Sequence, residues 1–380
     1  MSKQTKNRNL FRLTRFLLLK LPRFLTFFSK FRQPRKSILI IKTDAIGDYV
    51  LFRNYIEVLK NSEKFNGYKI DILGNVIWKD LALEFDSKFI NRFYFTNANE
   101  LYYAPLKMLQ LGWQLFKNNY QVTVQPSYTR SFINDGLAAF TAARQIIGFE
   151  SDTEQIEAKY KIETDKFYTK LLQLPANVFF EFDRSKFFFQ TVLGHNIEID
   201  APQIPTENKQ KKGIVIFPGS GILNRNWGPD KFLALSKLII ADTREPLFFA
   251  GGEAEAELCN NLVKNLPVSR VYNMAGKTTL PQLVNLISSA LLIVSNETNA
   301  VHIAAATKTK SVCILGGGHF GRFAPYTDNM ENKPLCVHEK MTCFNCNWDC
   351  KFTNTGNLPF PCVASVGLGL VWQETKRLLS

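Results

Sequence analysis

Beyond residue 36 the chain alternates short apolar runs with amphipathic stretches. Ser37–Lys42 (SILIIK) is a continuous apolar run of strand length, and Tyr49–Lys60 then carries helical spacing. Tyr68–Leu73, Ile90–Phe95, Gln121–Gln125 and Gln145–Ile147 predict further strands. Helical patterns near Ile77–Phe85, Pro105–Lys117 and Arg130–Ala142 separate them. The pattern breaks at 196–212 (NIEIDAPQIPTENKQKK), where Pro202, Pro205 and a lysine-rich run mark a linker, taken as 201–212. It then restarts. Gly213–Phe217, Pro246–Ala250, Leu291–Ser295 and Lys310–Leu315 predict strands, with helices at Pro229–Ala241, Glu253–Leu266, Leu280–Ser289 and Val301–Thr307. Strand–helix alternation of this kind predicts a parallel sheet covered on both faces. The expectation is therefore an α/β chain with two Rossmann-like, doubly wound domains, 37–200 and 213–380. Ligands should gather beyond the carboxyl ends of the strands.

Residues 1–36 do not fit that alternation. Leu10, Leu13, Phe16, Leu17, Phe24, Phe27, Phe28 and Phe31 are interleaved with basic residues. Arg12, Arg15, Lys20 and Arg23 keep every apolar run short of the roughly 18–20 uncharged residues a spanning helix needs. Basic residues continue to Lys36 with no small-residue cleavage site, unlike a signal peptide. Pro22 should kink a helix running through the segment. The pattern suits a basic amphipathic arm lying on anionic lipid, although a loosely ordered tail or an organellar presequence would share its composition.

Charge sharpens this. The formal net charge is +14, and residues 1–36 contribute eleven basic and no acidic side chains. The remainder holds 36 basic and 33 acidic residues, so the body is near neutral and no nucleic-acid partner is expected.

Five of the seven cysteines lie in the segment 336–362. Cys343, Cys346, Cys350 and Cys362 read C-x2-C-x3-C-x11-C, with Cys336 upstream. Four nearby thiolates suit a structural zinc or an iron–sulfur cluster, but the second C-x2-C of a zinc ribbon is missing. Free thiols or a disulfide are the alternatives. Phe344, Trp348 and Phe352 are read as packing for this lobe, with stacking on a sugar as the alternative.

Four strand-end loops carry candidate chemistry. In Lys42-Thr43-Asp44-Ala45-Ile46-Gly47-Asp48 the glycine permits a tight turn and Asp48 falls at a helix start. A carboxylate there either caps the helix or acts as a general base. In the loop 217–227, Gly219 and Gly221 allow close backbone approach, Ser220 adds a hydroxyl, and Arg225 offers a planar cation suited to phosphate. In Ala250-Gly251-Gly252-Glu253, Glu253 either accepts hydrogen bonds from a ribose or favours the helix N-terminus. In Ser295-Asn296-Glu297-Thr298-Asn299, free N–H groups precede an alanine-rich helix that holds His302, a residue more often structural than catalytic. No Asp-x-Asp occurs in the chain, so a metal bridging carboxylates to a diphosphate is not signalled. Main-chain N–H groups, helix ends and a cation would have to neutralise such a leaving group.

Taken together these loops resemble glycosyltransferase family 9, the heptosyltransferases of lipopolysaccharide core assembly. The matches are Ile46-Gly47-Asp48, Pro218-Gly219-Ser220, Arg225-Asn226-Trp227-Gly228-Pro229-Asp230-Lys231-Phe232, Ala275-Gly276-Lys277-Thr278-Thr279-Leu280 and Asn296-Glu297-Thr298-Asn299-Ala300-Val301-His302-Ile303-Ala304-Ala305. The resemblance covers about 37–330 and is more specific in its second half. It implies a GT-B fold, two domains facing across a cleft, inversion at the anomeric carbon, and catalysis without a cofactor. By position it makes Asp48 the general base. Ser220, Gly221, Arg225, Glu297, Thr298 and Asn299 fall to the donor diphosphate region, Glu253 lies near the nucleoside, and His302 and Lys277 support. The chain departs from the family where Arg225 replaces a lysine, Glu297 an aspartate and Asn299 a glycine. The implied partners are a nucleotide-sugar donor, ADP-heptose by default, and a lipid-linked glycan. The implied location is peripheral, at the cytoplasmic face of a bacterial inner membrane. A membrane-associated scaffold of the same fold that binds without turnover is the rival expectation.

Overall fold

A computed structural model describes residues 7–207, 210–352, 356 and 358–380. The chain forms two compact units. Unit 1 comprises Met1–Val178 with Asp183–Glu198, and unit 2 comprises Phe179–Phe182 with Ile199–Ser380.

Unit 1 is built on a six-stranded parallel sheet. Its strands are β1 (Arg35–Lys42), β2 (Lys69–Asn75), β3 (Arg92–Thr96), β4 (Tyr120–Gln125), β5 (Gln145–Phe149) and β6 (Lys170–Leu172), in the spatial order β3-β2-β1-β4-β5-β6. Ile38, Leu39, Ile40 and Ile41 of β1 are all fully buried, as a central strand covered on both faces requires. The order reverses between β1 and β4, so the loops after these two strands flank the crevice where such sheets bind ligands.

The N-terminal segment is part of this unit. The helix Arg8–Ser29 runs through Pro22 without a break. A proline here removes one main-chain donor, and the Thr26 hydroxyl donates to the Pro22 carbonyl at 2.8 Å. The helix buries Thr14, Leu18 and Pro22 and packs on the helices Pro105–Asn118 and Phe132–Phe140. Leu18 sits so close to Gly136 that a Cβ there would meet its Cδ2 at 2.4 Å. Arg35 and Lys36, read from sequence as the end of the arm, already belong to β1. No helix among the described residues is long and apolar enough to cross a membrane.

Unit 2 repeats the architecture. Its strands are β7 (Ile214–Phe217), β8 (Leu247–Phe249), β9 (Val271–Asn273), β10 (Leu292–Asn296), β11 (Lys310–Ile314) and β12 (Leu335–Val337), ordered β12-β11-β10-β7-β8-β9, all parallel. The reversal lies between β7 and β10. Ile214, Ile216, Leu247, Phe249, Leu292 and Val294 form the buried heart of the sheet, with Trp227, Phe232 and Leu235 packed on it. The described part of the 201–212 stretch lies against this unit, where Ile204 N–H donates to the Ala306 carbonyl at 2.9 Å.

The sequence pattern does not mark the three-residue strands β6, β9 and β12, whereas the equally short β8 is marked by the apolar run Leu247–Ala250. The single helix expected at 49–60 is two, Ile46–Phe52 and Asn54–Asn61, meeting at Arg53. That guanidinium is buried and paired with Asp86 at 2.7 Å.

Candidate active site

In unit 1 the turn after β1 is clamped from several sides. Trp78 Nε1 donates to the Asp44 carbonyl at 3.1 Å, and Asn75 Nδ2 donates to the Thr43 carbonyl at 3.0 Å. The Trp78 ring stacks on Tyr49 with centroids 4.0 Å apart. It fits only because position 74 is glycine, where a Cβ would lie 1.9 Å from the indole. Below the turn, Tyr49 donates to Asp86 at 2.6 Å, and Arg53 completes the buried cluster. Burial raises the Asp86 carboxyl above its ordinary range, while the Arg53 charge and both hydrogen bonds oppose that rise.

Asp48 stands in the first turn of the Ile46–Phe52 helix and is half-buried. A carboxylate at a helix start is favoured as an anion by the free N–H groups there. At the foot of the turn Lys42 is buried, and its ammonium pairs with Asp44 at 2.7 Å. Ser127, in the loop after β4, donates to Asp44 Oδ2 at 2.5 Å. The two loops at the switch point of this sheet are thus tied to one another.

In unit 2 the loop after β7 is organised by a residue to which the sequence reading gave no role. Asn296 ends β10 fully buried. Its Nδ2 donates to the carbonyls of Pro218 (2.8 Å) and Gly219 (3.3 Å), and its Oδ1 accepts from Trp227 N–H at 2.9 Å. One side chain therefore fixes both ends of the 218–227 loop. The available signal was an amide closing a strand whose other residues are apolar or small.

The predicted donor residues of this unit lie on its strand-end loops. Ser220 Oγ donates to the Ile222 carbonyl at 2.6 Å. Gly219 is sterically required, since a Cβ would meet Glu255 Cγ at 2.2 Å, whereas a Cβ on Gly221 would meet nothing within 4 Å. Arg225 ends a short 3-10 turn and is half-buried. Its Nε is buried without a hydrogen-bond partner, and its guanidinium lies 4.1 Å from the centroid of Trp348. Burial lowers its pKa, and the nearby Glu297 opposes this. Burial pushes the Glu297 carboxyl up to about 8, against the pull of Arg225, so it is largely neutral at pH 7.

Thr298 caps the helix Asn299–Ala306, accepting from Ala300 N–H at 3.3 Å, and its hydroxyl meets Ser295 Oγ at 3.0 Å. Asn299 is the first residue of that helix. Glu253 is exposed and touches the Gly276 turn, where a Cβ would lie 3.2 Å from Glu253 Cα. Glu255 closes the same loop, accepting from Gly252 N–H at 2.8 Å.

The two residues expected to support the site make contacts of their own. His302 is buried, shares a 2.8 Å hydrogen bond with the Tyr326 hydroxyl, and is held down to about 4 by burial, so it is a neutral packing residue near pH 7. Lys277 turns back to donate to the Asn273 carbonyl at 2.9 Å. Cys343, Cys346, Cys350 and Cys362 line one small apolar cavity with Trp348, Phe352 and Phe360. Among the described residues, however, no group of three or more His, Cys, Asp or Glu side chains is arranged to hold a metal ion.

Two parallel six-stranded sheets, each with small and polar strand-end loops at its reversal, make up the GT-B fold. A family model for glycosyltransferase family 9 (heptosyltransferase) matches residues 108–351. The chain belongs to that family and is a glycosyltransferase. It is 24% identical over 229 residues to lipooligosaccharide heptosyltransferase 2 of Campylobacter jejuni, covering 54% of this chain and 72% of the relative. It is 23% identical over 287 residues to lipopolysaccharide heptosyltransferase 1 of Campylobacter coli, covering 65% and 82%. Among solved structures, the E. coli ADP-heptose lps heptosyltransferase II is similar with a TM-score of 0.67 at 16% identity, covering 90% of this chain and 98% of that one. A dodecameric iron-containing glycosyltransferase, TibC of E. coli, is more distant, with a TM-score of 0.52 at 13% identity, covering 91% and 76%.

Proposed function

We propose that this protein transfers a heptose from ADP-heptose to a lipopolysaccharide-core or related lipid-linked glycan, inverting the anomeric centre without a catalytic metal. The observation that carries this is the clustering of anion-binding groups at the switch point of the second sheet. Ser220, the half-buried Arg225, whose Nε has no hydrogen-bond partner, and the helix start at Thr298–Asn299 flank the buried Asn296 anchor. Support for the donor comes from the relatives' names and from an E. coli heptosyltransferase, WaaC, solved with ADP-2-deoxy-2-fluoro heptose.

In this reading Asp48 takes the proton from an acceptor hydroxyl. The oxygen attacks the donor's anomeric carbon as the bond to the diphosphate oxygen breaks. The departing ADP keeps that electron pair, and its charge falls on Arg225 and the N–H groups at 298–299. Calorimetry with ADP, UDP, GDP and CMP tests the donor assignment. ADP should bind most tightly, and equal or absent binding of all four would overturn it.

The acceptor's lipid links to a second part of the proposal: the protein works at an anionic surface, at the cytoplasmic face of a bacterial inner membrane. On the helix Arg8–Ser29, Phe16, Phe24 and Phe27 are 58%, 61% and 57% exposed, and Phe31 beyond it is 77% exposed. Exposed Arg12, Lys20 and Lys30 stand among them. Aromatic rings beside basic residues suit the headgroup region of an anionic bilayer.

The cysteine segment carries a separate expectation, a structural zinc or iron–sulfur group. Four thiols on one apolar cavity, and the iron in the description of TibC, support it. The described side chains as placed do not form a ligating set, and no step is routed through a metal. Elemental and sulfide analysis decides: one zinc, or the several irons and sulfides of a cluster, per chain and lost with Cys346→Ser, would establish it, and an active metal-free preparation would dismiss it.

A further inference from the structure

The cysteine-rich segment does more than pack: it reaches the loop that holds Arg225. Asn224 Nδ2 donates to the carbonyls of Gly356 (2.8 Å) and Leu358 (2.6 Å), and Phe360 N–H donates back to the Asn224 carbonyl at 2.7 Å. The next residue, Arg225, lies over the Trp348 ring. Trp348 in turn is stacked on Phe360, with centroids 5.6 Å apart.

Much local structure is committed to placing that indole. Asn345, Asn347 and Trp348 all have positive φ, at 66°, 52° and 62°. Residues other than glycine adopt this conformation only at some cost in energy. Asn345 N–H and Asn347 N–H donate to the carbonyls of Gly317 (2.7 Å) and Gly318 (2.9 Å) in the loop after β11. The indole fits against that loop because it is glycine. A Cβ at 316 or 318 would lie 2.6 or 2.2 Å from the Trp348 ring. The Trp348 Nε1 group is buried without a hydrogen-bond partner, so no polar contact of the indole explains the arrangement. What the ring does contact is a guanidinium whose Nε is likewise unpartnered.

We propose that Trp348 is a positioning residue that holds the Arg225 guanidinium by a cation–π contact, ready for the donor diphosphate. This rests on the reading of Arg225 as a diphosphate ligand. Stacking leaves the in-plane N–H groups of Arg225 available to oxygen while restricting the freedom of a long side chain. Phenylalanine at 348 preserves a ring face, and leucine removes it.

The test is a double-mutant cycle read by ADP calorimetry and by donor KM and kcat. Arg225→Ala should weaken ADP binding, and Trp348→Leu should weaken it about tenfold. Trp348→Phe should recover most of that loss, and Trp348→Leu should add nothing to Arg225→Ala. The loss should appear in donor KM more than in acceptor KM. If Arg225→Ala leaves ADP affinity unchanged, the donor reading fails. If Arg225→Ala weakens binding but Trp348→Leu does not, or weakens it equally when Arg225 is absent, the positioning role fails. An arginine-labelled NMR spectrum of the unaltered protein gives a check that does not depend on a variant folding. The Arg225 Nε–H proton should be ring-shifted upfield, and a random-coil position would refute the contact.

Discussion

Replacing Asn296 by alanine should unfasten the donor loop from the sheet beneath it. The side chain makes two strong contacts, to Pro218 O at 2.8 Å and from Trp227 N at 2.9 Å, and a weaker one to Gly219 O at 3.3 Å. Asn296, Pro218, Gly219 and Trp227 are all buried. Truncation therefore strands a main-chain donor and a main-chain acceptor away from water. Each such group costs about 1–3 kcal/mol when left unpaired, so the loss should be about 2–6 kcal/mol. The loop also carries Ser220 and Arg225, and ADP affinity should fall by on the order of tenfold or more, because displaced ligands lose their alignment. Asn296→Asp is the stricter control. It keeps the shape but turns a donor into an acceptor facing two carbonyls, so its damage should equal or exceed that of alanine at pH 7. Protonation restores the donor, so the aspartate variant should regain stability as pH falls. Urea denaturation monitored by Trp fluorescence, beside ADP calorimetry, reads both quantities. A loss below about 1 kcal/mol with unchanged ADP affinity would refute the assignment of Asn296 as the anchor.

Two other outcomes follow from the same geometry. Burial raises the Glu297 carboxyl to about 8, so it gains negative charge beside Arg225 as pH rises through that value. ADP affinity should therefore fall between pH 7 and 9, and Glu297→Gln should flatten that fall. A titration with the same slope in both proteins would contradict it. The chain should sediment with anionic vesicles but not neutral ones, weakening as salt rises, and Phe24→Glu with Phe27→Glu should abolish this while sparing ADP affinity. Binding that survives both substitutions would place the lipid contact elsewhere.

The long strands were readable because burial on both faces leaves continuous apolar runs: Ile38–Ile41 in β1 and Ile214–Phe217 in β7 appear directly as such. The loops after them were readable because glycine and polar residues interrupt those runs. What escaped depends on contacts distant in sequence. Asn296 looks like any polar residue after a strand until Trp227, 69 residues away, is found on its Oδ1. Trp348 was read as packing, and nothing in the spacing of the cysteines places it over Arg225. The N-terminal helix was read as lying on lipid. Its inner face, around Leu18, also completes the core of unit 1 against Gly136, a complementarity the amphipathic pattern alone does not reveal.

The central claim is that Asp48 performs the proton transfer while the loops of the second sheet hold the nucleotide. Measuring turnover of Asp48→Asn with ADP-heptose and a heptose-accepting glycan, alongside its ADP affinity, tests both halves at once. The account predicts a loss of kcat of about a hundredfold or more with ADP affinity unchanged. Turnover close to that of the unaltered protein would contradict it.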